Sequence, residues 1–128
     1  MKIRNVLAVL LVSLLLLALA ACNNSVLTGR YVIVDILDDP EGTTFAELDE
    51  KYKAADQKIT DYYYIEFQDG GRFVIVLFGE EELQGAYTRS GNVLTLASGG
   101  ESFDAAIKGK KITYDYETGA KIVFQKEK

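Results

Sequence analysis

Residues 62–78 read YYYIEFQDGGRFVIVLF and contain the clearest strand and turn signals of the chain. Side chains alternate between two faces from Tyr62 to Gln68, as they do in a strand with one buried face. The residues Asp69-Gly70-Gly71 then supply a tight turn, and the apolar run Arg72–Phe78 follows it. The stretch therefore predicts a β-hairpin.

Similar short runs, separated by glycine-rich turns, continue on both sides of this hairpin. Each connection suits antiparallel neighbours, and closure into an up-and-down barrel would remove both exposed edges. We therefore expect a mostly β protein, an eight-stranded antiparallel barrel whose interior is filled by side chains or holds one small ligand. The eight predicted strands are Thr28–Leu37, Tyr62–Gln68, Arg72–Phe78, Leu83–Thr88, Asn92–Ala97, Ser102–Ile107, Lys111–Tyr116 and Ala120–Gln125.

A helical period interrupts the strands between the first and the second. Thr43 or Thr44 can cap the start of an amphipathic helix over Thr43–Ile59, and Glu47 lies near its first turn. Because Arg72–Phe78 is apolar on both faces, we expect this helix to cover its outer face, with a partner protein or a second copy as alternatives. The apolar stripe consists of Phe45, Leu48, Tyr52, Ala55 and Ile59.

The first 21 residues have the three-part layout of an export signal. Lys2 and Arg4 are followed by the aliphatic run Val6–Leu19 and by the small residues Ala20 and Ala21. The apolar stretch 6–21 would extend about 24 Å as a helix, which falls short of the ~20 residues of a stable membrane span. We therefore expect a signal helix rather than a permanent transmembrane anchor.

The end of this leader, Leu19-Ala20-Ala21-Cys22, resembles the lipobox of bacterial lipoproteins. The resemblance implies that diacylglycerol is attached to Cys22, that residues 1–21 are removed, and that the protein is held on the outer face of the cell membrane, or on the outer membrane of a two-membrane cell. Residues 22–27 would then form a lipidated tether of at most roughly 20 Å to a domain over 28–128. An ordinary secretory signal that happens to precede a cysteine is the alternative.

The composition excludes several partners and chemistries. The formal charge is −5 and includes Lys2 and Arg4 of the leader, so the mature part carries 12 basic and 19 acidic side chains, and nucleic acid is not an expected partner. No Lys/Arg cluster occurs along the sequence, so we expect an anionic membrane surface to repel this body. The single cysteine and the lack of histidine exclude disulfides, Cys/His zinc sites and histidine-based catalysis. We expect no enzyme activity, cofactor or metal.

A strand meander that opens with Thr28-Gly29-Arg30-Tyr31 resembles the lipocalin-like, or calycin, group, whose first strand opens with a glycine, any residue and a tryptophan. Here tyrosine replaces the tryptophan, the mature chain is shorter than typical members, and no helix follows the last strand. The resemblance implies a ligand cavity at the mouth of the barrel. Core filling and packing against the helix explain most of the aromatic side chains, but if such a cavity exists we predict contacts from five of them. They are Tyr31, Tyr63, Phe67, Phe73 and Tyr87.

Two acidic clusters, Asp38-Asp39-Glu41 and Glu80-Glu81-Glu82, are predicted to lie in solvated turns, since neither follows a calcium-loop pattern. Two hypotheses on function stay open. The barrel holds a small apolar or amphipathic molecule near the membrane, or it is solid and its outer surface meets another envelope protein as an accessory subunit or inhibitor.

Overall fold

The computed structural model describes residues 26–128. The predicted signal peptide, the lipobox residues Leu19, Ala20 and Ala21, and the lipidation site Cys22 lie outside the described residues. The described part contains eight strands, one α-helix and one 3-10 turn. In chain order they are β1 Gly29–Leu37, α1 Phe45–Ala54, the 3-10 turn Ile59–Asp61, β2 Tyr64–Gln68, β3 Arg72–Leu77, β4 Glu80–Ser90, β5 Val93–Ser98, β6 Glu101–Lys108, β7 Lys111–Asp115 and β8 Lys121–Lys126.

The eight strands close into one antiparallel barrel in sequential order. Closure is made by β8, which pairs back with β1 through partners such as Ile36 and Ile122. The register of this pair shifts between Ile33 and Asp35, a bulge of the kind that bends a strand where a barrel must curve. The predicted fold class is confirmed, because a meander of this length removes its exposed edges only by closing.

The two ends of the barrel differ in what covers them. One end carries residues 38–63, which include α1, and the turns at 78–79, 99–100 and 116–120; we call it the open end. The other end carries residues 26–28 and the turns at 69–71, 91–92 and 109–110; we call it the closed end. The described chain therefore enters the barrel at the closed end.

Alternation along the strands builds the interior. Around β2, Tyr63, Ile65 and Phe67 are buried, whereas Tyr64 and Glu66 remain partly exposed, which confirms the predicted alternation. The same period of two directs one apolar row of each strand inward. The largest fully buried side chains are Phe73, Phe124, Ile33, Ile65, Ile75, Leu77, Leu94, Leu96, Ile107 and Ile112.

The predicted helix is present but shorter than the expected 43–59. The Thr44 hydroxyl accepts a hydrogen bond from the backbone N–H of Glu47 at 3.2 Å, which is a standard N-terminal cap. The helix ends near Ala55, and Asp56 adopts a left-handed backbone with φ of 60°. Ile59 is therefore buried by the separate 3-10 turn rather than by α1.

The prediction that this helix covers the outer face of the third strand is wrong. α1 packs near β1 and the 3-10 turn, and its Leu48 lines a cavity at the open end together with Tyr63. Both connections to α1 leave from strand ends at the open end, which places the helix over the mouth. On the outer face of β3, Val76 is buried between its register partners Tyr64 and Glu81.

The β3–β4 connection also differs from the prediction. β4 begins at Glu80 rather than Leu83, so Glu80, Glu81 and Glu82 lie in a strand and not in a turn. The reason is a two-residue turn at Phe78-Gly79, whose φ angles are 56° and 76°. Left-handed backbone is unusual for a bulky residue, so sequence rules do not predict a turn that includes Phe78.

Candidate ligand-binding site

A cavity of about 580 Å³ lies at the open end, between the mouth of the barrel and α1. β1, β8 and the residue before β2 supply its buried floor through Ile33, Ile122 and Tyr63. Most of the lining surface is apolar, although several polar side chains from the surrounding loops and from α1 also contribute to it. The full lining is Ile33, Ile36, Asp39, Pro40, Glu41, Thr43, Leu48, Lys51, Tyr63, Phe78, Tyr116, Thr118, Ala120 and Ile122.

Phe78 is the most exposed aromatic side chain at this cavity. It is 61% exposed, and its ring centroid lies 5.2 Å from that of Tyr63 and 6.3 Å from that of Tyr116. A Cβ atom added to Gly79 would lie 2.8 Å from the ring of Tyr62, so only glycine fits beside that ring. A strained backbone thus holds an apolar ring at the mouth, and strain of this kind is frequent at ligand sites.

Tyr63 supplies a polar group within the apolar floor. Its hydroxyl lies 3.5 Å from the hydroxyl of Tyr52 on α1, and the two rings meet edge to face at 5.9 Å. Burial, together with this hydrogen bond, raises the pKa of Tyr63 far above its ordinary value. The phenol is therefore neutral at physiological pH and offers a hydroxyl to a bound molecule.

The edge of the cavity carries charge. The Asp39 carboxylate accepts a hydrogen bond from the backbone N–H of Thr43 at 2.8 Å, and hydrogen bonds from Thr43 lower the pKa of Asp39. Burial raises the pKa of Tyr116, and the nearby carboxylates of Glu117 and Glu82 raise it further. The field at this edge is therefore negative, although Lys51 of α1 also reaches the cavity.

Of the five predicted ligand contacts, only Tyr63 lines this cavity. Tyr31, Phe67 and Tyr87 form a chain of edge-to-face rings at the closed end, with centroids 5.3 Å apart for Tyr31 and Phe67 and 4.9 Å for Phe67 and Tyr87. Phe73 belongs to the same end and is 1% exposed. A ligand role for these four residues stays a prediction, and the cavity itself is built from other side chains.

Leu27 seals the closed end. It is buried, and the Tyr87 hydroxyl accepts a hydrogen bond from its N–H at 2.9 Å and donates one to its carbonyl oxygen at 3.1 Å. Tyr87 thus ties the first described residues to the barrel wall. Tyr31, Phe67 and Tyr87 pack against one another at the same end of the barrel, in agreement with the core-filling role that the sequence also predicts for them.

Sequence reasoning missed most of the cavity lining because those residues come from loops and strand ends. In the sequence, Ile36 and Ile122 are indistinguishable from core residues. The helical period places Leu48 on an apolar stripe that we expect to face a strand. One signal was present: Phe78 stands directly before Gly79, which is an unusual place for a large apolar side chain.

No protein-family model, no curated protein and no solved structure matches this chain. Within residues 26–128, no helix has the length and apolar character needed to cross a membrane. The same part of the chain holds no group of three or more Cys, Asp or Glu side chains arranged around a possible metal ion.

Proposed function

We propose that this protein is a membrane-anchored extracytoplasmic lipoprotein whose lipocalin-like barrel binds a small apolar or amphipathic molecule at its open end. The observation that carries the binding role is the apolar cavity of about 580 Å³ beneath α1. Small-molecule sites generally measure ≈ 300–1,000 Å³ and combine apolar walls with a few polar groups. Tyr63, Thr43 and Thr118 supply such groups here.

The position of the proposed anchor fits this role. Cys22 precedes Leu27 by five residues, so a lipid on Cys22 lies within roughly 18 Å of the closed end. A barrel held in this way turns its open end away from the bilayer. The ligand would then enter from the aqueous side, past Phe78 and α1.

The charge at the open end selects among amphipathic ligands. The segments 38–63, 78–82, 99–101 and 116–120 carry thirteen acidic and three basic side chains. An anionic headgroup at the mouth would be repelled by this field, whereas a neutral or cationic headgroup would not. We therefore expect an apolar ligand without a carboxylate or phosphate.

The alternative is a solid barrel that acts as an envelope interaction protein, an accessory subunit or an inhibitor. The open cavity counts against it, because a solid barrel needs no hollow under its helix. The exposed ring of Phe78 also has a role in the binding proposal, as part of the cavity wall.

Binding is tested by titration of the full-length protein with the uncharged dye Nile red. Ile36→Glu places a carboxylate in the cavity wall, where burial without a partner is costly, and we expect dye affinity to fall ~10-fold or more. Val93→Glu is the matched control, since Val93 is 44% exposed and lies at the start of β5 at the closed end. Unchanged affinity in Ile36→Glu, or equal losses in both folded variants, would reject the binding role.

A matched pair of amphiphiles tests the headgroup selection. An alkyl ammonium and an alkyl carboxylate of equal chain length should compete with Nile red unequally, with the ammonium the stronger competitor at low ionic strength. Preference for the carboxylate would contradict the charge argument while leaving the cavity in place.

The anchor is tested by mass spectrometry of the mature N-terminal peptide. We expect wild-type protein from a bacterial host to carry acyl chains on Cys22, Cys22→Ser to carry none, and Asn24→Ser to retain them. Normal acylation of Cys22→Ser would reject the lipobox assignment.

A further inference from the structure

Basic side chains that are far apart in sequence meet at the closed end of the barrel. Four segments form this end, 68–72, 89–92, 108–111 and 126–128, and together they carry seven basic and two acidic side chains. Antiparallel pairing brings the segments together: the N–H of Lys126 donates to the carbonyl of Lys110 at 2.9 Å. The basic residues are Arg72, Arg89, the three lysines of 108–111, Lys126 and Lys128.

Within residues 26–128 none of these seven cations forms an ion pair, although Arg89 and Lys126 are half-buried rather than exposed. Among the described residues, the ion pairs are Arg30–Glu66, Lys53–Asp49 and Lys121–Asp115, and none involves the seven. Arg72, Lys108, Lys110 and Lys111 are exposed. Arg30 also starts near this end, but its guanidinium lies over the ring of Tyr64 on the barrel wall, at 4.1 Å from the centroid.

Although the domain has a net negative charge, its basic and acidic side chains are therefore distributed unequally between the two ends of the barrel. Acidic side chains dominate the open end, and tilted strands of five to eleven residues separate the two ends by roughly 15–20 Å along the barrel axis. This separation exceeds the Debye length of about 8 Å at physiological ionic strength. A charged surface in contact with the closed end therefore interacts with the cations there, while salt screens it from the acidic side chains of the open end.

We propose that the closed end docks on the anionic lipid headgroups of the bilayer that holds the anchor. The orientation rests on the proposed lipid at Cys22, whereas the cationic surface belongs to the described fold. Each basic side chain near an anionic membrane strengthens association roughly fivefold. The docked barrel stands upright, with its cavity mouth directed away from the membrane.

The expectation from sequence was that an anionic membrane repels this domain. It rests on the lack of a long Lys/Arg run, since the densest group in the sequence is the three lysines of 108–111. The fold adds basic residues from three other segments to this group, and for the closed end we therefore propose attraction instead of repulsion.

Amine labelling of the full-length chain in lipid nanodiscs tests the docking. The protein is compared in discs of phosphatidylcholine alone and in discs that also contain phosphatidylglycerol. We expect Lys108, Lys110 and Lys111 to react several-fold more slowly in the anionic discs, and high salt to abolish the difference. Lys53 and Lys58 of the open end serve as internal controls and should react equally in both.

Two charge-neutralising variants sharpen the test. In Lys108→Gln/Lys110→Gln, the several-fold protection of Lys111 in anionic discs should be lost, because removing two cations weakens the association with the anionic surface by more than tenfold. In Lys53→Gln/Lys58→Gln, which loses the same charge at the open end, protection of Lys111 should be unchanged.

The outcomes separate docking from anchoring. Equal labelling in both discs, or equal effects of the two variants, overturns the docking, since the tether alone would bring the closed end near either membrane. Binding to a soluble polyanion without protection in anionic discs also overturns it. The mass of the Cys22 peptide, measured in the same samples, shows whether the lipid is attached. If the peptide is unacylated but the lysines of the closed end are still protected in anionic discs, the anchor is rejected and the docking is not.

Discussion

The closed and open ends of this barrel are built from the same eight strands but differ in packing. At the closed end, Tyr31, Phe67 and Tyr87 pack ring against ring, and Leu27 is hydrogen bonded over them. At the open end, α1 has no fully buried residue and covers a cavity of about 580 Å³. Side chains fill the interior at the closed end, whereas a cavity remains at the open end.

The difference shows that the same residue type is buried in the core or exposed at the cavity according to its position along the barrel axis. Phe73 is the second residue of β3 and Phe78 directly follows its last residue, yet Phe73 is 1% and Phe78 is 61% exposed. Backbone strain is also placed at the open end, where Asp38, Asp56 and Phe78 have φ between 53° and 60°. A packed end and a strained end with a cavity are compatible with the proposed attachment on one side and the proposed binding on the other.

The largest expected effect comes from truncating one phenylalanine at each end. Phe73→Ala should lower the free energy of unfolding by about 3–5 kcal/mol, because it removes a fully buried ring and leaves a void. Phe78→Ala should cost about 0.5 kcal/mol, since its ring is largely solvated. Urea unfolding of the two variants, with the denaturant slope checked against wild type, measures both values; equal losses would contradict the contrast between the ends.

A smaller effect is expected from the hydroxyl that ties down Leu27. Tyr87→Phe removes two hydrogen bonds and should cost about 1–2 kcal/mol, partly because the N–H of Leu27 is left without its partner. Tyr52→Phe removes one long hydrogen bond at the open end and should cost less than about 0.5 kcal/mol. Urea midpoints and hydrogen exchange at the Leu27 amide compare them, and slow exchange retained in Tyr87→Phe would show that packing alone holds the segment.

The sequence predicted the barrel because its inner rows follow a strict period of two. Ile65 and Phe67 lie inward as the pattern indicates, and turn residues such as Gly70-Gly71 mark where strands end. The cap at Thr44 was predictable for the same reason, since capping depends on neighbours a few residues away. Features that depend on residues close together in the sequence could therefore be predicted from it.

Features that depend on contacts between distant segments could not be predicted from the sequence. The cavity joins Ile36, Leu48 and Ile122, which lie up to 86 residues apart, and nothing local distinguishes them from core residues. The basic surface likewise combines Arg72 with Lys108, Lys110 and Lys126. Both require knowledge of which strand ends coincide, which only closure of the barrel fixes.

The smallest expected effect concerns acid and the loop that borders the cavity. The folded pKa of Asp39 is lowered by its hydrogen bonds from Thr43, so the unfolded state binds the proton more readily. The stability that this carboxylate contributes is present above its ordinary pKa of about 4 and is lost as the pH falls through the lower folded pKa.

The effect is resolved by three proteins measured across the acid range. Asp39→Ala should have a lower urea midpoint than wild type at neutral pH, and the gap should shrink as the pH drops below about 4. Asp39→Asn keeps an oxygen acceptor for the Thr43 N–H but cannot titrate, so its midpoint relative to Asp39→Ala should not change with pH. A gap between wild type and Asp39→Ala that persists in acid would show that shape, and not charge, holds this loop over the cavity, and the edge of the site would then keep its form when its carboxylates are neutral.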